Sequence, residues 1–197
     1  MSVARVHYVK AARKEQGKCG KCGDDLPKGQ PYRWYSVGFR SHYASKRCMK
    51  STCSPRQSEL ESSKLSSVYS AQEGAEDELA ALRNGEPQDQ QAVQDVMTGF
   101  AEAVRETADE YREADEAIGG GGTGTISEER ADLLNEAADE LDGFSPQADP
   151  EQFEACEDAE DEDHDSDTCE ACRESKANVW SELIDEAESA IGELSFS

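Results

Sequence analysis

The sequence predicts a small α+β module, a β-hairpin plus a helix, followed by a mostly α-helical acidic tail that is partly disordered. The 197-residue chain has a formal net charge of −24, and that charge is divided unevenly. Residues 1–70 hold 14 Lys and Arg against 5 Asp and Glu, whereas residues 71–197 hold 6 against 39. Cysteines and aromatic residues mark the basic head, and helical periodicity marks the tail. We therefore expect small ordered units rather than one large hydrophobic core.

Four cysteines of the head stand in two pairs whose spacing predicts a metal site. The first pair is a C-x-x-C motif followed by Gly23, and four residues separate the second pair. A C-x-x-C followed by glycine turns its backbone amides toward the sulfurs, and two such pairs supply the tetrahedral thiolate set that zinc prefers. Four unlinked thiols and a redox C-x-x-C are the alternatives. The predicted ligands of one structural zinc ion are Cys19, Cys22, Cys48 and Cys53.

The segments around the second half of this motif predict strands and a helix. Residues 30–40 alternate in character, are rich in aromatic rings and have glycines at 29 and 38, which indicates a β-hairpin or two short strands. Ser54-Pro55 is typical of a helix N-cap and first helical position. We assign residues 1–57 to this zinc-binding module.

The run from Cys19 to Gly29, Cys-Gly-Lys-Cys-Gly-Asp-Asp-Leu-Pro-Lys-Gly, resembles the opening of treble-clef and zinc-ribbon zinc fingers, most closely the PARP-type finger. That resemblance implies a small zinc finger and, for the PARP type, binding to DNA breaks. The PARP-type finger closes with His-x-x-Cys, whereas this chain has Cys48 and Cys53 with a longer gap. The basic head with a helical acidic tail is also similar in style to small uncharacterised proteins of tailed bacteriophages, which implies no activity.

The interval between the cysteine pairs is also a candidate nucleic-acid surface. Its aromatic rings offer stacking faces for bases, and its basic side chains can meet phosphates. The same aromatic residues, Trp34 and Phe39 among them, must also build the small core. The predicted contact residues are Arg33, Trp34, Arg40, Lys46 and Arg47.

Apolar residues at helical spacing predict several helices in the tail. The assigned segments are a connecting helix at 58–84, an acidic helical hairpin at 88–143 and a C-terminal amphipathic helix at 176–195. The most regular apolar stripe runs from Val93 to Ile118. The glycine-rich run 119–124 indicates a flexible linker that lets the hairpin helices pair. Helices 90–142 and 176–195 are the candidate surface for a protein partner or a self-dimer.

Residues 144–175 form an acidic tract that is expected to be disordered. Two prolines interrupt it, and residues 151–170 carry 11 carboxylates with no Lys or Arg. Three cysteines and one histidine in this tract suggest a second zinc site, and a flexible tract with free thiols is the alternative. The candidate ligands are Cys156, His164, Cys169 and Cys172.

These features favour a binding protein over an enzyme. The sequence has no nucleophile elbow, phosphate loop or H-E-x-x-H motif, and four cysteine ligands leave no open position on zinc. We expect the finger to bind nucleic acid, with a tail that recruits a partner or inhibits the head. The alternative is a protein–protein adaptor with a purely structural zinc site, and a third interpretation is halophilic adaptation.

The sequence also bears on location. It contains no apolar run of transmembrane length, and its first residues lack the apolar stretch of a signal peptide. We therefore expect no membrane partner and an intracellular location, in the cytoplasm or, for a viral protein, in the host cytoplasm.

Overall fold

The computed structural model describes residues 4–37, 44–61, 63–85, 90–118, 124–149, 169–194 and 196. The chain divides into two compact units, Met1–Ser70 and Ala71–Ser197. This boundary coincides with the change from basic to acidic sequence. Among the described helices, none has a stretch long and apolar enough to cross a membrane.

The first unit contains a three-stranded antiparallel sheet in the order β1-β2-β3. The strands are β1 (His7–Val9), β2 (Tyr32–Tyr35) and β3 (Ser45–Arg47). The predicted hairpin is present, but its second strand lies beyond residue 40, directly before Cys48. The sequence Ser-Lys-Arg of β3 has no apolar alternation, and β1 is only three residues long. Periodicity therefore carries no signal for either strand.

The strand register sorts the side chains of the sheet into two faces. His7, Trp34 and Lys46 are Cα partners across the three strands and share one face. Tyr8, Arg33 and Arg47 form the neighbouring row, which lies on the opposite face. Along β2, buried Arg33 and Tyr35 alternate with half-buried Tyr32 and Trp34.

After the sheet, a 3₁₀ turn at Ser51–Cys53 leads to the short helix α1 (Gln57–Leu60). The predicted helix start at Ser54-Pro55 is wrong, because Ser54 ends the 3₁₀ turn and Arg56 occupies the N-cap. The Ser54 hydroxyl accepts a hydrogen bond from Nη1 of Arg33 at 2.5 Å. That hydroxyl therefore anchors the second cysteine segment to β2 instead of capping a helix.

The predicted connecting helix at 58–84 is two helices, because α1 ends at Leu60 and α2 spans Leu65–Arg83. Helix α2 ends one residue before the predicted boundary at 84, and the backbone amides of Asn84 and Gly85 donate to carbonyls of its last turn. Its buried positions are Leu65, Val68, Ala75 and Leu79.

The second unit contains the helical hairpin, formed by α3 (Gln90–Ile118) and α4 (Gly124–Asp142). Ion pairs show that the two helices are antiparallel, since Arg105 contacts Asp139 and Arg112 contacts Asp132. The apolar stripe of α3 is buried as predicted up to Tyr111. Gly143 ends α4, and its amide donates to the carbonyl of Asp139 at 2.9 Å. Residues 119–123 of the predicted linker at 119–124 lie outside the described residues, and Gly124 is the first residue of α4.

Helix α5 (Glu170–Glu193) begins six residues before the predicted start at 176 and contacts α3. Its buried side chains include Trp180, whose Nε1 donates to the carbonyl of Leu82 at 3.2 Å. Arg83 of α2 pairs with Asp185 of α5 at 2.6 Å. Part of the sequence assigned to the acidic tract is thus the first turn of a packed helix.

Candidate metal centre

The two cysteine pairs meet at one point of the first unit. The four Sγ atoms of Cys19, Cys22, Cys48 and Cys53 all lie within 4.8 Å of one another. The Sγ atoms of Cys22 and Cys48 are 3.7 Å apart. Sulfurs bound tetrahedrally to zinc at about 2.3 Å stand about 3.8 Å apart, so the cluster could hold one metal ion with little rearrangement.

Backbone hydrogen bonds form the turn that carries the first pair. The amide of Gly23 donates to the carbonyl of Cys19 at 3.0 Å, and the amide of Cys19 donates to the carbonyl of Asp24 at 2.7 Å. Gly23 has a φ of +76°, a conformation that side chains other than glycine's rarely adopt. The glycine after C-x-x-C is therefore required by the turn, as the motif predicts.

The second pair is held by the end of β3 and the 3₁₀ turn. Cys48 follows β3 directly, and its backbone amide donates to Sγ of Cys19 at 3.3 Å. Cys53 ends the 3₁₀ turn and is buried with Cys19 and Leu26, beside half-buried Tyr32. Cys22 is exposed. One side of the sulfur cluster therefore faces solvent, which leaves an entry path for an ion.

The sulfurs differ in how readily they lose their protons. Burial raises the pKa of Cys19, but the amides of Cys22, Cys48 and Lys21 outweigh it and hold that pKa at about 6. The amide of Asp24 lowers the pKa of Cys22, but loss of water and the three neighbouring sulfurs raise it to about 12. Burial also raises the pKa of Cys48. Cys19 therefore loses its proton more readily than Cys22 or Cys48, and ion binding must displace the protons of those two thiols.

Two predicted nucleic-acid contacts, Arg33 and Arg47, point into the module. Their exposed fractions are 6% and 7%. Nη2 of Arg33 donates to the carbonyl of Lys50 at 3.1 Å, and its Nη1 bonds Ser54, so this guanidinium braces the segment that carries the second cysteine pair. Nucleic-acid contact by these two side chains stays a prediction, and their burial does not support it.

Arg47 joins β3 to α1 and to the first cysteine turn. Its Nη2 donates to the Tyr35 hydroxyl at 3.1 Å and pairs with the Glu59 carboxylate. A Cβ added at Gly20 would collide with Nη1 of Arg47. Burial lowers the pKa of Arg47, but Glu59, Tyr35 and the nearby Cys19 raise it above its usual value. The guanidinium therefore places a positive charge beside a cluster of thiolates.

The remaining predicted contacts lie on the other face of the sheet or outside the described residues. The half-buried Trp34 ring stacks on the His7 ring, with 4.2 Å between centroids and 12° between planes. Nζ of Lys46 donates to the carbonyl of Gln16 at 3.2 Å. Arg40 lies outside the described residues.

The second candidate site is described for only two of its four members. Cys169 is the N-cap residue of α5, and Cys172 is buried in its first turn. Cys156 and His164 lie outside the described residues. A second zinc site there stays a prediction.

Some residues of the first site carried no interpretable signal in the sequence. His7, Gly20 and Glu59 owe their roles to strand register and helix placement, which bring together positions far apart in the chain. The position of Arg47 beside Cys48 was a usable clue, because a tetrathiolate centre favours an adjacent positive charge.

Comparisons of the chain with models of known protein families, with curated proteins and with solved structures find no match. The likeness of the first cysteine turn to PARP-type and other treble-clef fingers therefore stays a resemblance. The four-cysteine cluster is established by geometry alone, and it defines a candidate metal-binding protein.

Proposed function

We propose that this chain is a non-enzymatic zinc protein whose basic unit binds nucleic acid through its phosphates. The observation that carries this proposal is a set of six exposed cations in residues 10–28, the segment that contains the first cysteine pair. None of them has an ion-pair partner within the part of the chain that the structure describes. These residues are Lys10, Arg13, Lys14, Lys18, Lys21 and Lys28.

The metal assignment follows from the donor set. Four thiolates favour zinc or another thiophilic ion over the oxygen-seeking calcium and magnesium. The centre has four protein ligands and is therefore the closed, structural type. Two sulfurs are among the few buried side chains around Leu26, so the bound ion would take the place of a hydrophobic core in this unit.

The nucleic-acid assignment follows from the arrangement of charge. The buried arginines support the fold, whereas the cations of residues 10–28 lie at the surface, where they can reach phosphates. Neutralising phosphates releases condensed counterions, and binding of this kind weakens steeply with salt. The acidic second unit would repel nucleic acid, so we propose that the contact lies in the first unit alone. The tail would then recruit a partner or inhibit binding by the head.

The test is binding of a labelled oligonucleotide to the zinc-loaded chain across a salt series, beside residues 1–70 alone. We expect the logarithm of affinity to fall linearly with the logarithm of salt concentration. Changing Lys10, Arg13, Lys14 and Lys18 to Gln should weaken binding and flatten that slope. The matched control changes Arg173 and Lys176 of α5 to Gln. Absence of binding by both forms at low salt would refute the proposal, and tighter binding by residues 1–70 would indicate inhibition by the tail.

A second candidate function is a protein–protein adaptor with a purely structural metal site. The acidic surface of α3 favours it, because carboxylates line an open groove there that a basic protein segment would fit. Charge reversal along this groove should then abolish capture of the partner. The groove is lined by Glu102, Arg105, Glu106, Asp109, Glu110 and Glu113.

A further inference from the structure

The exposed face of the small sheet carries an aromatic platform. His7 and Trp34 are partners across β1 and β2, and their rings stack nearly parallel at 4.2 Å. The His7 side chain is exposed and covers the half-buried Trp34. A planar base can extend such a stack, because every base has an aromatic face.

Cations border this platform on the same face of the sheet. Lys46 is the next residue in the row across β3, and its Nζ donates to the carbonyl of Gln16. The loop around Gln16 therefore lies on the same side as the two rings. Lys14 and Lys18 flank Gln16 in that loop, and both are exposed.

The helices of the first unit are unsuited to reading a duplex. Helix α1 has four residues, too few to fill a major groove. Of helix α2 the first unit contains only residues 65–70, and none of these is basic. Within the described residues of the first unit, stacked aromatic rings and positive charge meet on one face of the sheet. Such a surface fits the bases and backbone of an unpaired strand.

We propose that the ligand class of this unit is single-stranded nucleic acid. One base stacks on the outer face of His7 above Trp34, and neighbouring phosphates meet Lys46, Lys14 and Lys18. This inference rests on the proposed function and narrows it, because it excludes duplex as the preferred ligand. It also gives a role to His7, which lies outside the cysteine motif.

The experiment measures fluorescence anisotropy of labelled dT12, rU12 and a 12-bp duplex with the zinc-loaded full chain in low salt. We expect each single strand to bind at least ten times more tightly than the duplex, and the two strands distinguish DNA from RNA. Three phosphate contacts predict a slope of about −2 for the logarithm of affinity against that of salt concentration. The double change Lys14→Gln and Lys18→Gln should reduce it to about −0.7.

The diagnostic variant is His7→Leu, which keeps a side chain over Trp34 but removes the aromatic face. We expect single strands to bind about 5- to 140-fold more weakly, the equivalent of about 1–3 kcal/mol for one stacked base. The matched control is Tyr8→Leu, since Tyr8 is 67% exposed but lies on the opposite face. His7→Gln is a second ring-free variant in case leucine disturbs the fold.

Trp34 supplies a second readout, because the chain has two tryptophans and Trp180→Phe leaves Trp34 alone. Its fluorescence should be quenched over the same oligonucleotide range that raises the anisotropy. Equal or tighter binding of duplex, or an unchanged affinity of both His7 variants, overturns this inference and leaves the proposed function standing. Absence of binding by single strand and duplex alike overturns both.

Discussion

Loss of the Arg47 charge should destabilise the first unit while leaving the cysteines in place. The change Arg47→Gln removes the partner of Glu59, a hydrogen bond to Tyr35 and the positive charge beside the first cysteine turn. Removing one member of a buried ion pair costs about 3–5 kcal/mol, because the other charge is left buried and unpaired. The Glu59 side chain is 31% exposed, so water offsets part of this cost. We therefore expect a loss of about 2 kcal/mol in the free energy of unfolding of this unit.

The assay is release of zinc to a chromogenic chelator during a urea titration, since this signal reports on the unit that holds the metal. With a slope of about 1 kcal/mol per molar urea for so small a unit, the midpoint should fall by about 2 M. Lys21→Gln is the matched control, because Lys21 is an exposed cation in the same cysteine turn. The double variant Arg47→Gln with Glu59→Gln neutralises both members of the pair and should recover part of the loss caused by Arg47→Gln alone. A midpoint for Arg47→Gln within about 0.5 M of the wild type would refute this reasoning.

Three further predictions concern the metal centre and the helical unit. At pH 7.5 zinc uptake should release at least two protons, because the raised pKa values of Cys22 and Cys48 keep both thiols protonated until the ion binds. Calorimetry in buffers of different ionisation enthalpy counts the released protons. Release of fewer than one proton would contradict the assignment of these thiols as ligands. Gly20→Ala should weaken zinc retention in the chelator assay, because the new methyl group collides with the Arg47 side chain, and unchanged retention would show that Arg47 moves freely. Gly99→Ala should stabilise the second unit by about 0.5–1 kcal/mol, since this helical glycine has open space around its Cα; a lower thermal midpoint by circular dichroism would count against the helical hairpin.

The metal centre shows which kind of inference a sequence supports. The residues Cys19 to Gly23 form a local turn whose geometry follows from two cysteines and a glycine at fixed spacing. The second cysteine pair reaches the first because the hairpin between them reverses the direction of the chain, and this brings all four sulfurs within metal-binding distance. Local spacing and side-chain chemistry were therefore sufficient to predict which four cysteines come together.

The basic residues show what spacing and side-chain chemistry leave undecided. Arg33, Lys46 and Arg47 are all basic residues between the two cysteine pairs, and nothing in the sequence separates them. All three were predicted to contact nucleic acid. In the structure, Arg33 and Arg47 fall on the face covered by α1 and the second cysteine segment, whereas Lys46 falls on the other face. Alternation along a strand assigns adjacent residues to opposite faces, but which face is covered depends on segments packed from elsewhere in the chain.

In the helical unit, too, some features were predictable from the sequence and others were not. The apolar stripe of α3 and the ends of α2 and α4, each one residue before the predicted boundaries at 84 and 143, were readable because helical periodicity is a local property. A count of charges alone favours repulsion between two helices this acidic. The structure instead places Arg105 and Arg112 at the seam of the hairpin, each within 3.4 Å of a carboxylate of α4. The number of charges in the sequence does not predict that these two arginines lie between the helices.

The sequence by itself therefore determined the division into a basic and an acidic part, the four cysteines of the metal centre and the apolar stripes of the helices. Each of these follows from composition, or from spacing within a few turns of the chain. The tertiary structure alone decided that Arg33 and Arg47 point inward, that His7 stacks on Trp34 and that the six cations of residues 10–28 are exposed and without an ion pair in the part of the chain that the structure describes. The physical reason is that burial and pairing are set by contacts between distant segments, and residue spacing does not specify those contacts.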